Sequence, residues 1–127
     1  KRFATCTQSD TLTTTSYTRT MYIDTHSHIY DEAFDTDRES VFQRAIDADI
    51  KMLLLPNTDK STIKPMMDFY ESHAENCRVM MGLHPEGEKE DYKQHLSVIE
   101  KEMEKNCWIG VGEIGLANCS ALYMTSR

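Results

Sequence analysis

The sequence predicts an α/β protein with a parallel sheet, and three observations carry that prediction. Short apolar runs begin near residues 22, 51, 78 and 108, and each except the last leads into a segment with helical periodicity. The run Met52-Leu53-Leu54-Leu55 is apolar on both faces, as a strand buried inside a parallel sheet requires. The polar residues with most chemistry to offer, His26, His28, Asn57, His84 and Glu113, all follow directly on these runs. That is where ligands gather in sheets built from β-α units. Crossovers between such strands are right-handed almost without exception.

Each element has its own signal. Tyr22 to Asp24 reads as the first strand, and residues 36–48 as a helix with Asp35, Thr36 or Asp37 as its cap. Val41, Phe42, Ala45 and Ile46 form the apolar stripe of that helix. Lys51 to Leu55 is the second strand, and Pro56-Asn57-Thr58-Asp59 turns the chain. The next helix starts at Lys60 or Ser61 and runs to His73, with Ile63, Met66, Met67 and Tyr70 inward. Pro65 must then lie in its first turn or two, because deeper in a helix it removes a hydrogen bond and clashes. Arg78 to Gly82 is strand three, followed by a polar loop from Glu86 to Asp91. Tyr92, Leu96, Ile99 and Met103 mark the inner side of a third helix ending at Asn106. Trp108 to Gly112 is strand four, with Glu113 directly after it.

With 127 residues the chain has room for one small domain, and its 28% charged and 39% hydrophobic residues suit a soluble globular protein. A net charge of −7 argues against a broad basic face for nucleic acid. It is compatible with an acidic pocket that takes a phosphate through bound divalent ions, because the ions reverse the local field. Cys6, Cys77, Cys107 and Cys119 show no C-x-x-C or zinc-ribbon spacing, and no secretory signal or membrane-length apolar run is present. Free thiols in a reducing cytoplasm are therefore expected, with no membrane partner. Residues 1–20 hold eight threonines and two serines without hydrophobic period. They are read as a disordered or non-native extension, with Met21 as the natural start. Residues 21–116 form the α/β unit, and residues 117–127 an aberrant, disordered tail.

The chemistry centres on Asp24-Thr25-His26-Ser27-His28. Side chains two apart on an extended backbone point the same way, so Asp24, His26 and His28 are expected on one face. Two imidazoles so placed can hold one metal ion. Asp24 is expected either as the acceptor that orients an imidazole or as a further ligand. Glu113 lies in Gly112-Glu113-Ile114-Gly115, where flanking glycines allow close backbone approach and the carboxylate can bridge two ions. His84, in Gly82-Leu83-His84-Pro85, can contact a substrate phosphate or carry a proton. Asn57 is a weaker candidate of the same kind. His73 and His95 have no partner in phase on their helices and are expected to be solvated. Cys77 and Cys107 lie at the opposite end of the sheet and read as small packing groups. Met52, Met66, Met67, Met80 and Met81 read as core filling.

Taken in order, Tyr22-Ile23-Asp24-Thr25-His26-Ser27-His28, Gly82-Leu83-His84-Pro85 and Val111-Gly112-Glu113-Ile114-Gly115-Leu116 resemble the amino-terminal part of a TatD-family metal-dependent hydrolase. The resemblance runs from Met21 to Leu116. It implies the first half of a TIM-type (β/α)8 barrel, with about four parallel strands and three intervening helices, and deoxyribonuclease or related phosphodiesterase activity. It also implies that His26 and His28 bind one divalent ion, that Glu113 bridges two, and that His84 lies near the substrate phosphate. Zn, Mg, Mn and Co all suit such ligands. The implied substrate is DNA or a small phosphodiester.

Two positions depart from the family pattern. Ala117-Asn118-Cys119 stands where an Asp and an aromatic residue usually follow, and Glu86 follows His84-Pro85 in place of a His or aromatic. The family site also uses two further histidines and an aspartate from a second half-barrel. The chain is therefore expected to be an inactive fragment whose open sheet edges invite pairing or aggregation. Three rivals stand beside this reading. A flavodoxin-like signalling domain fits the length, but would want an acidic pair after strand one. A metal-binding pseudo-enzyme differs in activity only. An amidohydrolase acting on a cyclic amide would carry a lysine after strand four, where Glu113 stands.

Overall fold

Strands and helices alternate along the chain as the periodicity requires. The computed structural model describes residues 21–85, 92–105 and 107–115. The loop at 86–91, the helix end at Asn106, Cys6, Cys119 and the segments 1–20 and 116–127 lie outside the described residues. The strands are β1 (Tyr22–Asp24), β2 (Ile50–Pro56), β3 (Cys77–Met81) and β4 (Trp108–Val111). Between them come α1 (Arg38–Asp47), α2 (Ile63–Ser72) and α3 (Tyr92–Met103). The strands form one parallel sheet in the order β1-β2-β3-β4. Four parallel strands in sequence order with three crossover helices are the first half of a TIM-type barrel.

β2 is the centre of the sheet, and its composition explains why. Leu53 and Leu55 are buried on the helix side with Cys77, Val79 and Met81 of β3, while Leu54 and Met80 point to the other face. A two-faced apolar strand is stable only between neighbours, and β2 has β1 on one side and β3 on the other. The helix side is closed by Phe42 of α1, Met66 and Phe69 of α2 and Ile99 of α3. The Phe42 and Phe69 rings meet edge to face with centroids 5.6 Å apart. Pro65 is the third residue of α2, within the first turn, where its missing N–H leaves no helical bond unmade.

Cys77 is fully buried as the first residue of β3, and burial pushes its thiol up to about 11. The nearby Arg78 charge opposes this without offsetting it, so the thiol stays neutral in the core at neutral pH. Cys77 and Cys107 are free thiols.

Two expectations from the helix patterns are corrected. His73 is not solvated: its ring stacks on Phe69, meets Phe42 edge-on, and bonds the Phe69 carbonyl and the Glu39 carboxylate. His95 is 3% exposed, and its charge helps hold the Asp59 carboxyl below the usual range. Burial works the other way on Asp59 and is the largest single effect. Hydrogen bonds from Ser61 and Thr62, together with His95, outweigh it. The burial of His95 reflects a rotation of α3. The face carrying His95 and Ile99 packs on the sheet, while Tyr92, Leu96 and Met103 remain substantially exposed. The apolar stripe read from the sequence borders an open cavity of about 500 Å³ between α3 and β4. Among the described residues, no helix is long and apolar enough to cross a membrane.

Candidate metal centre

The site lies at the carboxyl ends of the strands and is assembled by backbone pairing. After β1 ends at Asp24, the Ser27 N–H still donates to the Leu54 carbonyl of β2 at 2.9 Å. His26 and His28 flank that anchored residue, so both imidazoles are held on one side, with ring centroids 4.9 Å apart. The following loop is fastened by Arg38 at the start of α1. Its guanidinium donates to the Ile29, Tyr30 and Asp31 carbonyls at 2.9, 3.1 and 2.8 Å and ion-pairs with Asp35.

Glu113 reaches the imidazoles from β4, three strands away. The Gly112 N–H donates to the Met81 carbonyl and the Glu113 N–H to the Asn57 carbonyl, each at 3.0 Å. Asn57 is fully buried at the end of β2 and acts as the junction. Its side-chain amide donates to the Gly82 and Asp59 carbonyls at 2.8 and 3.0 Å, and its oxygen accepts from the Thr62 hydroxyl at 2.9 Å. These bonds tie the ends of β2 and β3 to each other and to the Glu113 backbone. Gly82 allows the close passage. A Cβ there would lie 2.5 Å from the Glu113 carbonyl oxygen and from the Gly112 carbonyl carbon.

Three donor atoms converge as a result. Glu113 Oε1 lies 2.6 Å from His26 Nε2 and 2.6 Å from His28 Nε2, and the two nitrogens are 3.0 Å apart. Donors about 2.1 Å from a small divalent ion stand about 3.0 Å apart in octahedral and about 3.4 Å apart in tetrahedral geometry. The two imidazole–carboxylate pairs, at 2.6 Å, would therefore have to open by a few tenths of an ångström or more around an ion. Two neutral imidazoles and one carboxylate are a suitable ligand set for such an ion. The three residues are the group among the described residues whose ligand atoms could hold a metal. Glu113 is the most enclosed of them, its side chain 17% exposed against 54% for His26 and 31% for His28.

The other predicted residues surround this triangle. His84 Nε2 sits 3.1 Å from Glu113 Oε2, so the two carboxylate oxygens face different partners. Its backbone N–H donates to the Thr58 carbonyl at 2.7 Å, joining the loops after β2 and β3. Asp24 lies outside the donor triangle: its Oδ1 accepts from the His26 backbone N–H at 3.1 Å and fixes the chain at the strand end. Sequence reasoning missed Tyr30, whose hydroxyl lies 2.7 Å from His28 Nδ1 and donates to the Pro56 carbonyl. Burial, and then the Glu113 charge, hold its phenol well above the ordinary range. Tyr30 lies in a turn beyond the end of β1, so strand alternation does not by itself place its hydroxyl beside His28.

Comparison with known proteins points the same way. The model of the family described as TatD related DNase matches residues 23–124, a span that continues past the last motif residue, Leu116. A relative in Bacillus subtilis (strain 168), described as an uncharacterized metal-dependent hydrolase, YabD, is 28% identical over 96 residues. That alignment takes in 76% of this chain and 37% of the relative, so the chain spans little more than a third of that protein's length.

Gly82→Ala tests the backbone route to Glu113. The added methyl must displace the Gly112-Glu113 backbone, and destabilisation of about 1–3 kcal/mol is expected in thermal or urea unfolding. An unchanged melting temperature would show that the strand ends have room to spare.

Proposed function

Because this chain belongs to the TatD related DNase family, we propose that His26, His28 and Glu113 form one corner of a divalent-metal centre for phosphodiester hydrolysis. The observation that carries the reading is the convergence of two imidazole nitrogens and a carboxylate oxygen within 3.0 Å of one another. When bound, the ions supply an activated water for in-line attack at phosphorus and neutralise charge on the attacking and leaving oxygens. His26 and His28 would hold one ion through Nε2. Glu113 would serve that ion through its carboxylate, and two ions are the expected number if its second oxygen, now facing His84, were to take part as well. His84, beside Oε2 and one-third exposed, is the group for a substrate phosphate or for a proton on the leaving oxygen. Asp24 keeps His26 in place through its backbone.

DNA is the substrate favoured by this reading, with a small phosphodiester as the alternative. The acidic balance of the chain, −7, fits a substrate held through metal ions better than one held by a basic surface. The free thiols Cys77 and Cys107 support a reducing, cytoplasmic setting. In this reading further ligands come from beyond the segment described, and the 127-residue chain binds metal without turning over DNA. The test is cleavage of plasmid DNA with Mn²⁺, Mg²⁺ or Zn²⁺, using this chain and a version extended through the remaining barrel strands. Metal-dependent cleavage is expected from the extended protein alone, abolished by EDTA and reduced at least about 100-fold by His28→Ala. Cleavage that survives EDTA would contradict the metal centre, and metal binding without turnover by the extended protein would favour a binding module.

The sheet edges are proposed as sites of self-association. Ile23 on β1 and Ile109 and Val111 on β4 are 61%, 52% and 54% exposed, an apolar surface on the two edge strands of the sheet. Light scattering after size exclusion is expected to give dimers or larger species whose share rises with concentration, and Ile109→Lys is expected to shift them toward monomer. A monomer at all concentrations would refute the pairing.

A further inference from the structure

The hydrogen bonds around Tyr30 fix more than the position of a ring. Its side chain is 2% exposed, and its hydroxyl stands between two groups, the Pro56 carbonyl oxygen and His28 Nδ1 at 2.7 Å. A carbonyl oxygen can only accept, so the single phenolic proton goes to Pro56. The Tyr30 oxygen is then left with lone pairs alone toward His28, and the contact is a hydrogen bond only if Nδ1 carries the proton. A neutral imidazole has one N–H, so His28 Nε2 is left with a bare lone pair. That lone pair faces His26 Nε2 at 3.0 Å and Glu113 Oε1 at 2.6 Å.

We propose that Tyr30 is a positioning residue that holds His28 in the Nδ1–H tautomer, leaving Nε2 as the metal donor. The proposal rests on the metal-centre reading given above and adds a residue to it. The Tyr30 ring also meets the His28 ring edge to face, with centroids 5.5 Å apart, so the same side chain sets the ring plane. Pro56 completes the relay: as a fully buried residue at the end of β2, it offers a carbonyl oxygen whose position is fixed by the sheet. The bare Nε2 and the Glu113 oxygen are both acceptors at hydrogen-bonding distance. Two facing lone pairs repel unless a cation lies between them, so the tautomer chosen by Tyr30 biases the cluster toward binding a cation. Asp24, expected as an imidazole's acceptor or as a further ligand, accepts from the His26 backbone N–H through Oδ1, and the side chain that contacts His28 Nδ1 is Tyr30.

The experiment is long-range ¹H–¹⁵N correlation of the histidine-labelled, metal-free chain at about pH 8, where imidazoles are neutral, combined with Zn²⁺ calorimetry on wild type and Tyr30→Phe. Wild-type His28 is expected to show a protonated Nδ1 and an unprotonated Nε2. In Tyr30→Phe the tautomers are expected to mix and Zn²⁺ affinity to fall about 10- to 100-fold, together with a lower melting temperature from the lost buried hydrogen bond to Pro56. A wild-type His28 protonated at Nε2 overturns the proposal, as does a variant with unchanged tautomer and unchanged Zn²⁺ affinity. If Tyr30→Phe fails to fold, the wild-type tautomer alone decides. Failure of the wild type to bind Zn²⁺ would overturn the metal reading, while the nitrogen shifts would still decide whether Tyr30 sets the tautomer.

Discussion

The candidate site depends on one constraint: the backbone at Glu113 is tied to the ends of β2 and β3 before its side chain meets the imidazoles. Asn57 supplies the tie. Its carbonyl accepts from the Glu113 N–H, and its buried side-chain amide holds Gly82 at the end of β3. A buried amide with all its polar atoms bonded is stable in one geometry, because any shift exposes an unmet donor or acceptor. Glu113 therefore arrives opposite His26 and His28 through a chain of fixed hydrogen bonds, although 85 residues separate it from His28. The loop after β1 is fixed independently by Arg38, so the two halves of the donor set are positioned from opposite sides of the sheet.

Much of this arrangement was legible in the sequence, because the signals were local. The two-faced run at Met52 to Leu55 can only be a central parallel strand, and it is. The spacing of the apolar runs predicts all four strands and the helices between them, with β1 at the bounds observed and the other boundaries within about three residues. The topology then brings the residues after β1 and β4 to the same end of the sheet, and His26, His28 and Glu113 do meet there.

What was not legible depends on facing surfaces. The stripe Tyr92, Leu96, Ile99 and Met103 is a sound helical face, but two apolar surfaces compete for it. The sheet takes the side carrying His95, and the cavity beside β4 takes the rest. A lone helical histidine carries no mark of burial, so His73 and His95 both read as surface residues. Asn57 read as a weak ligand candidate, whereas its amide is spent on backbone carbonyls that no pattern in the sequence reveals. Tyr30 lies in a turn after β1, and its contacts with His28 and the Pro56 carbonyl become visible only once β1 and β2 are paired.

Two imidazoles and one carboxylate of this chain are proposed to hold a divalent ion. X-ray absorption at the zinc edge of the Zn²⁺-loaded protein tests it most directly. A shell of nitrogen and oxygen at about 2.0–2.2 Å is expected, with the multiple-scattering signature of two imidazoles. Sulfur at about 2.3 Å, which would place the ion on a cysteine, or a shell without imidazole scattering, would contradict it.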